Sequence, residues 1–354
     1  MLLLNYKPVL FQPTGIGIYA NAVLPALQNF EHILIPGGGS GGSKDRLKRL
    51  AWTQTQLPKL AKKYQADLIF TPAPEGYLGD QAVPQILMVH DLRPLIHPEC
   101  SMQTLYFRSW VPPLLRQCTH IFTNSEFTAA EISRCIGVSQ DKITVTPLGY
   151  DPEHFYFSES FKRLHHRPYL LHIGQAYPHK NLKRLIQAFN SIAHQFPDVD
   201  LLLLGKPHPA QTIRLRNLVA DLNLSDRVIF KSYVPYADLP NWYRGACAFV
   251  YPSLWEGFGL PILEAMACGC PVITSYGSGT QEVANNAAIL IDPYSVSDLV
   301  DSITKILLSE YEQSNLRLRG AKHSRSFNWS STSKKLSEVI SEKTAIPDKG
   351  HPLI

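Results

Sequence analysis

The sequence predicts an α/β protein built from two parallel-sheet domains in tandem, and three observations support this. Short apolar runs alternate with segments of helical period along the chain, the pattern of repeated β–α units. The alternation occurs twice, on either side of a polar stretch without clean period at residues 151–168. At 354 residues the chain is long for one core and ample for two.

In the first half, apolar runs of strand length fall at residues 33–35, 68–71, 85–89, 120–123 and 143–146, with helical period at 19–27, 47–63 and 128–136. Residues 1–10 are apolar, but Asn5, Tyr6 and Lys7 interrupt them and no strand is legible there. The second half repeats the scheme, with strands expected at 169–173, 200–204, 228–231, 248–251, 272–274 and 288–291. Its helices are expected at 182–194, 210–222, 237–245, 261–268 and 297–308. The polar stretch, with Ser158, Ser160 and Arg167-Pro168, reads as the linker. The expected domains are therefore 1–160 and 161–325, followed by a helix at 326–343 and a flexible tail at 344–354. Parallel sheets bind ligands beyond the carboxyl ends of their strands, so a cleft between the two domains is expected.

Composition narrows the function classes. Hydrophobic residues at 45% and charged residues at 18% describe an ordinary soluble protein. A net charge of +5 suits an anionic substrate or peripheral contact with an anionic membrane, and does not call for nucleic acid. No run reaches the roughly 18–20 apolar residues of a spanning helix, and residues 1–10 lack a basic leader and cleavage site. A cytoplasmic location, at most peripheral to the inner face of a membrane, follows as the expectation. The six cysteines show no C-x-x-C spacing and read as buried, reduced thiols rather than a zinc site.

The most informative segment is residues 251–269, YPSLWEGFGLPILEAMACG. It reads as a strand, a tight glycine loop and a short helix, with Pro261 at the first helical position and Gly269 at the stop. Gly257 and Gly259 leave backbone N–H groups accessible, and the helix start behind them favours an anion. Glu256 in the loop and Glu264 in the first helical turn are acceptor-only groups; they suit sugar or ribose hydroxyls and would repel phosphate.

This E-x₇-E arrangement resembles glycosyltransferase family 4, retaining enzymes of the GT-B fold. Other segments match the family as well. Residues 169–182, YLLHIGQAYPHKNL, are similar to its strand, glycine and Lys-Asn segment. Thr14-Gly15-Ile16-Gly17-Ile18-Tyr19 resembles its N-terminal glycine loop, His90-Asp91-Leu92 its histidine motif, and residues 275–293 with Glu282 its nucleotide-side loop. The resemblance implies two Rossmann-like domains facing a central cleft, and it assigns roles. Glu264 would bind the donor ribose. Glu256, with backbone groups of Gly257, Phe258, Gly259 and Leu260, would contact the transferred sugar. Lys180 would neutralise the diphosphate beside Gly174 and Gln175. Gly15 and Gly17 would pack near the phosphates, Glu282 would close on the nucleotide, and His90 would approach the sugar. Gln175 and Ile18 stand where the family often has arginine, which leaves more of the phosphate charge to Lys180.

Other features have simpler readings. Asp198-Val199-Asp200 spells a metal-binding D-x-D, but it precedes a strand and reads as a surface turn. The glycine-rich stretch 37–44 transposes the lysine and hydroxyl of a P-loop and reads as a mobile loop. His165-His166 reads as a solvated pair. Lys44, Arg46, Lys48, Arg49, Lys59, Lys62 and Lys63 read as a solvated helical face, with contact to anionic lipid or an anionic acceptor as the alternative.

The expectation is retaining hexosyl transfer, with mannose from GDP-mannose favoured by the likeness of 275–293 and of His90-Asp91-Leu92 to the mannosyltransferase branch. The acceptor would be lipid-linked or a polysaccharide. No metal or cofactor is implied. A transferase using UDP-hexose or UDP-N-acetylhexosamine, or a non-catalytic nucleotide-sugar-binding protein, stays open.

Overall fold

Leu, Ile, Val and Phe dominate the short runs, and such residues fit a pleated surface buried on both faces. The computed structural model describes residues 1–10, 15–39, 42–80, 82–232 and 234–344, with the side chains of 43 and 44 left aside. Thr14 and parts of the stretch 37–44 therefore lie outside the described residues. The chain divides into two units, Met1–Gly149 with the chain from Asn328 onward, and Tyr150–Phe327.

The first unit holds a six-stranded parallel sheet of β1 (Leu2–Asn5), β2 (His32–Ile35), β3 (Leu68–Thr71), β4 (Gln85–Val89), β5 (His120–Thr123) and β6 (Ile143–Val145), in the order β2-β1-β3-β4-β5-β6. β1 was not legible because Asn5 ends it. That polar side chain is buried and satisfied, its Nδ2 donating to Thr71 Oγ1 at 3.2 Å. The helix expected over 47–63 is two helices, Ser43–Thr55 and Leu57–Lys63. Pro58 sits in the first turn of the second, where its missing N–H costs nothing, whereas inside one long helix it would break a hydrogen bond. Helices Arg93–Ile96, Met102–Ser109 and Val111–Gln117 fill the interval between β4 and β5 that the sequence left blank. Helix Trp329–Lys343 packs on Gly15–Leu27, with Thr332 Oγ1 donating to Pro147 O.

The second unit holds β7 (Tyr169–Ile173), β8 (Asp200–Leu204), β9 (Val228–Lys231), β10 (Ala248–Tyr251), β11 (Val272–Ser275) and β12 (Ile289–Ile291), all parallel, in the order β12-β11-β10-β7-β8-β9. Read from the other edge this is the 3-2-1-4-5-6 order of a dinucleotide-binding sheet, with its reversal between β7 and β10. Residues 150–160, placed by sequence in the first domain, cluster with this unit. Phe155 is buried, the His154 ring stacks on Tyr236 at 4.2 Å, and the Arg244 guanidinium donates to Tyr156 O at 2.8 Å. Helix Glu310–Ser324 was missed, its surface being too polar to show a clear apolar stripe. Cys118, Cys268 and Cys270 are buried, whereas Cys100 and Cys135 are exposed, contrary to the expectation of buried thiols throughout.

Of the D-x-D pair only Asp198 lies in a surface turn; Asp200 is the first residue of β8. Asp198 is exposed, but Asp200 is 1% exposed and receives His165 Nε2 at 2.7 Å and Arg227 Nε at 3.1 Å, with Arg167 Nε 3.5 Å away. His165 is thus a staple between linker and sheet rather than a solvated residue. Removing one partner of a buried ionic cluster strands the others. Asp200→Ala is expected to destabilise the second unit by about 3–5 kcal/mol, read as a lower midpoint in urea unfolding followed by tryptophan fluorescence. An unchanged midpoint would mean the cluster is ornamental.

Candidate active site

The reversal between β7 and β10 sends the loops after these strands in opposite directions, opening a crevice at their carboxyl ends. The loop after β7 is fixed by close backbone approach: Gly174 N–H donates to Leu204 O at 2.9 Å, and a Cβ on Gly205 would lie 2.1 Å from Gly174 O. The turn Pro178–Lys180 then ends at Asn181, which is left-handed with φ 60°, a conformation asparagine tolerates. Asn181 Nδ2 donates to Pro252 O at 3.0 Å and Pro293 O at 2.6 Å, and Leu254 N–H donates to His179 O at 2.7 Å. The Lys-Asn dipeptide therefore divides its labour: asparagine ties three loops together and lysine faces the loop after β10.

Lys180 Nζ lies 2.6 Å from Glu256 Oε1 and 2.5 Å from the Tyr251 hydroxyl, over whose ring it also sits at 4.7 Å. Burial works against the ammonium, but Glu256 and Tyr251 outweigh it and hold Lys180 above its ordinary pKa. Burial likewise raises Glu256, yet Lys180, with help from His179, brings its carboxyl below the usual range. Both groups are charged at neutral pH. The lysine expected on the diphosphate and the glutamate expected on the sugar are thus each other's counterions. Sequence reasoning missed Tyr251, which it read only as the end of a strand.

Gly259, at φ +127°, turns the chain into helix Leu260–Ala267. Pro261 is its second residue and Glu264 its fifth, so Glu264 opens the second turn, one residue further in than expected. The helix ends in a Schellman arrangement, Cys270 N–H to Ala265 O at 2.9 Å and Gly269 N–H to Met266 O at 3.0 Å, with Gly269 left-handed at φ +73°. Glu264 Oε2 accepts from the Tyr243 hydroxyl at 2.9 Å, and burial raises its carboxyl to about 7 despite that bond. The Phe249 ring, 5.3 Å from Tyr243 and 5.6 Å from Tyr251, joins the two carboxylate sites. Gly257 is buried; the Phe258 side chain packs edge-on against Phe327 at 6.0 Å, so only its backbone faces the loop. A Cβ on Gly279 would lie 2.2 Å from Gly257 O, which seats the glycine loop on helix Gly279–Ala284. Glu282 on that helix is exposed, and Gln175 is half-buried in the loop after β7. A cavity of about 130 Å³ adjoins Gly174 and Gly205, with Arg216 over the Phe230 ring in its wall.

The remaining candidates belong to the first unit. Gly15 and Gly17 are not in a loop but in the first turn of helix Gly15–Leu27, and Gly17 is buried. His90 follows β4. Its Nε2 lies 3.1 Å from Pro72 O, and its ring meets Tyr19 edge-on at 5.1 Å. Since a carbonyl only accepts, Nε2 carries the proton and Nδ1 is the acceptor. Burial lowers the His90 pKa to about 4, so the ring is neutral across the physiological range. His90 opens on a cleft of about 240 Å³ that also includes Asp91, Gln103 and the Arg49–Glu75 pair, held at 2.7 and 2.8 Å. Among the described residues no cluster of His, Cys, Asp or Glu is placed to hold a metal ion, and no helix is long and apolar enough to cross a membrane.

A Lys–Glu pair and a second carboxylate beside the switch point of a doubly wound parallel sheet define the class of ligand-binding α/β proteins. Comparison with known proteins makes the class specific. The profile of "Glycosyltransferase Family 4" matches residues 7–154 and that of "Glycosyl transferases group 1" matches residues 157–323. The O-antigen chain mannosyltransferase B of Escherichia coli is 30% identical over 72% of this chain and 70% of its own length. The O-antigen chain mannosyltransferase RfbU of Salmonella typhimurium is 32% identical over 59% of this chain; the match spans 57% of that relative. Sucrose-phosphate synthase from Thermosynechococcus elongatus superposes with a TM-score of 0.78 at 21% identity, covering 96% of this chain and 98% of that one. The chain belongs to the family 4 glycosyltransferases and has the GT-B fold.

Proposed function

We propose that the chain transfers a hexose with retention of configuration from a nucleoside-diphosphate sugar, GDP-mannose being the favoured donor, to a glycan or lipid-linked acceptor. The observation behind this is the charged Lys180–Glu256 pair at the switch point of the second unit, with Glu264 nearby. The mannose assignment is supported by the mannosyltransferase relatives.

In this reading Lys180 remains charged and turns from Glu256 toward the diphosphate as negative charge builds on the leaving group, where a cation stabilises the transition state more than the ground state. Glu256, ionised, accepts from sugar hydroxyls. Glu264 accepts from the ribose. His90 stays neutral in the first unit, its proton fixed on Nε2, with Nδ1 free to accept from a hydroxyl. Incubating GDP-mannose with a saccharide or lipid-saccharide extract and reading the anomeric configuration of the product by NMR tests the proposal. An α-mannoside supports it; a β-mannoside, or turnover of UDP-sugars alone, refutes it.

Glu264 gives a pH signature. Only its carboxylate accepts two hydroxyls, and the diphosphate of GDP-mannose has no group titrating near neutrality. Donor affinity is therefore expected to fall about tenfold from pH 8 to pH 6, as protonation at a pKa of about 7 competes with binding. Glu264→Gln should bind more weakly and lose the pH dependence, as calorimetric titration at the two pH values would read. Without donor the sign differs. The folded pKa lies above the ordinary 4.5, so Glu264's contribution to stability is full in acid and is lost as pH rises through about 7.

A further inference from the structure

We propose that His172 is a positioning residue for Lys180: its unused ring nitrogen takes a hydrogen bond from the ammonium once Lys180 leaves Glu256 for the diphosphate. This rests on the glycosyltransferase reading and supplies the hydrogen-bond partner that the moving lysine needs. His172 is the fourth residue of β7 and is wholly buried. Its Nδ1 lies 3.0 Å from Val250 O; a carbonyl only accepts, so Nδ1 carries the proton and Nε2 a lone pair. Among the described residues nothing donates to that lone pair. A buried acceptor left unmatched is costly, and one at the switch point of a sheet calls for a donor that arrives during function.

The surroundings name that donor. A Cβ on Gly174 would lie 3.3 Å from His172 Nε2 and 3.8 Å from Lys180 Cε, so both groups flank the same space that the glycine leaves open. The His172 ring also stacks on Tyr251 at 5.5 Å, and that tyrosine's hydroxyl and ring face already hold the ammonium. Of the three N–H donors of Lys180, Glu256 Oε1 and the Tyr251 hydroxyl take two. The charged and titratable groups around the ring are Tyr251 on β10, Lys180 in the loop after β7 and Glu256 in the loop after β10. Burial lowers the His172 pKa to about 4, and Lys180 lowers it too, against the Val250 bond and Glu256. The ring therefore stays neutral. Glu256 cancels the lysine's charge, whereas a neutral imidazole holds the ammonium in place and leaves its charge for the diphosphate. With Lys180 on His172, Glu256 is released to the sugar.

Nitrogen-15 NMR of the intact, histidine-labelled protein tests this, with GDP as probe at pH 8, where its phosphates are fully ionised. Saturation with GDP should move the His172 Nε2 resonance upfield, as happens when a bare ring nitrogen gains a donor, and Lys180→Ala should remove that shift. The resonance is assigned by its loss in His172→Asn, and the same variant separates positioning from structure. Asparagine keeps an N–H for Val250 O but has nothing at the Nε2 position; glutamine has a carbonyl at that position but no N–H for Val250 O. His172→Asn should hold its melting temperature and GDP affinity, while kcat for GDP-mannose with the saccharide extract falls about tenfold, the effect of one hydrogen bond. His172→Gln should be less stable yet faster than His172→Asn. A stable His172→Asn with wild-type kcat overturns the proposal, and so does an Nε2 shift that persists without Lys180. GDP tells two failures apart. Absence of GDP binding removes the donor reading and this inference with it, whereas GDP that binds and leaves Nε2 unmoved removes this inference alone.

Discussion

Lys180→Ala is expected to lower kcat by about 10²–10³-fold, the usual effect of deleting one preorganised group that stabilises developing negative charge. Affinity for the donor should fall less, because the diphosphate gains charge only as the glycosidic bond breaks. The structure adds a complication that can be resolved. Without Lys180, Glu256 loses its partner at 2.6 Å, and burial then pushes its carboxyl upward. If protonation of Glu256 caused the loss, raising the pH would restore turnover; if the missing cation caused it, pH would not help. The second outcome is expected. Gln175→Arg in the Lys180→Ala background should recover part of the activity if Gln175 faces the phosphates. A harmless Lys180→Ala would put the diphosphate elsewhere.

His90→Ala is expected to cut turnover by about ten- to a hundredfold, within the lower range for a positioned polar catalyst, while leaving GDP affinity nearly unchanged. The reason for the split is that Lys180, Glu256 and Glu264 all belong to the other unit. A purely structural histidine would behave differently. Its ring packs on Tyr19 and bonds Pro72 O, so its loss would lower the melting temperature first. His90→Gln, which can keep a donor toward Pro72 O, separates the cases: a stable but slow Gln variant assigns His90 to the reaction, and a fully active one removes it. With a pKa near 4, His90 contributes no titration to the rate between pH 6 and 8. Any pH dependence in that window should trace to Glu264.

The parallel sheets were legible because buried strands are nearly continuous apolar runs, and eleven of the twelve strands among the described residues show as such. β1 escaped because its last residue is an asparagine whose partner, Thr71, lies on another strand. Helices Arg93–Ile96 and Val111–Gln117 escaped because their prolines read as breakers, although a proline in a first turn starts a helix. At the candidate site, the glycine loop and its two glutamates were visible as local spacing. The Lys180–Glu256 bond, 76 residues apart in sequence, was not, since it depends on where the sheet order reverses. Asp200 shows the opposite failure: an aspartate before a strand reads as solvated until Arg227 and His165 arrive from remote segments.

The measurement closest to the central claim is calorimetric titration of GDP-mannose and UDP-glucose, side by side, into the wild type and Glu264→Ala. A carboxylate accepting bonds from ribose hydroxyls contributes about 1–3 kcal/mol. GDP-mannose should therefore bind the wild type and lose roughly ten- to a hundredfold in affinity in the variant. UDP-glucose should bind the wild type more weakly than GDP-mannose. Equal affinity of GDP-mannose for both proteins, or no binding of either nucleotide sugar by the wild type, would contradict a donor site built on the loops after β7 and β10.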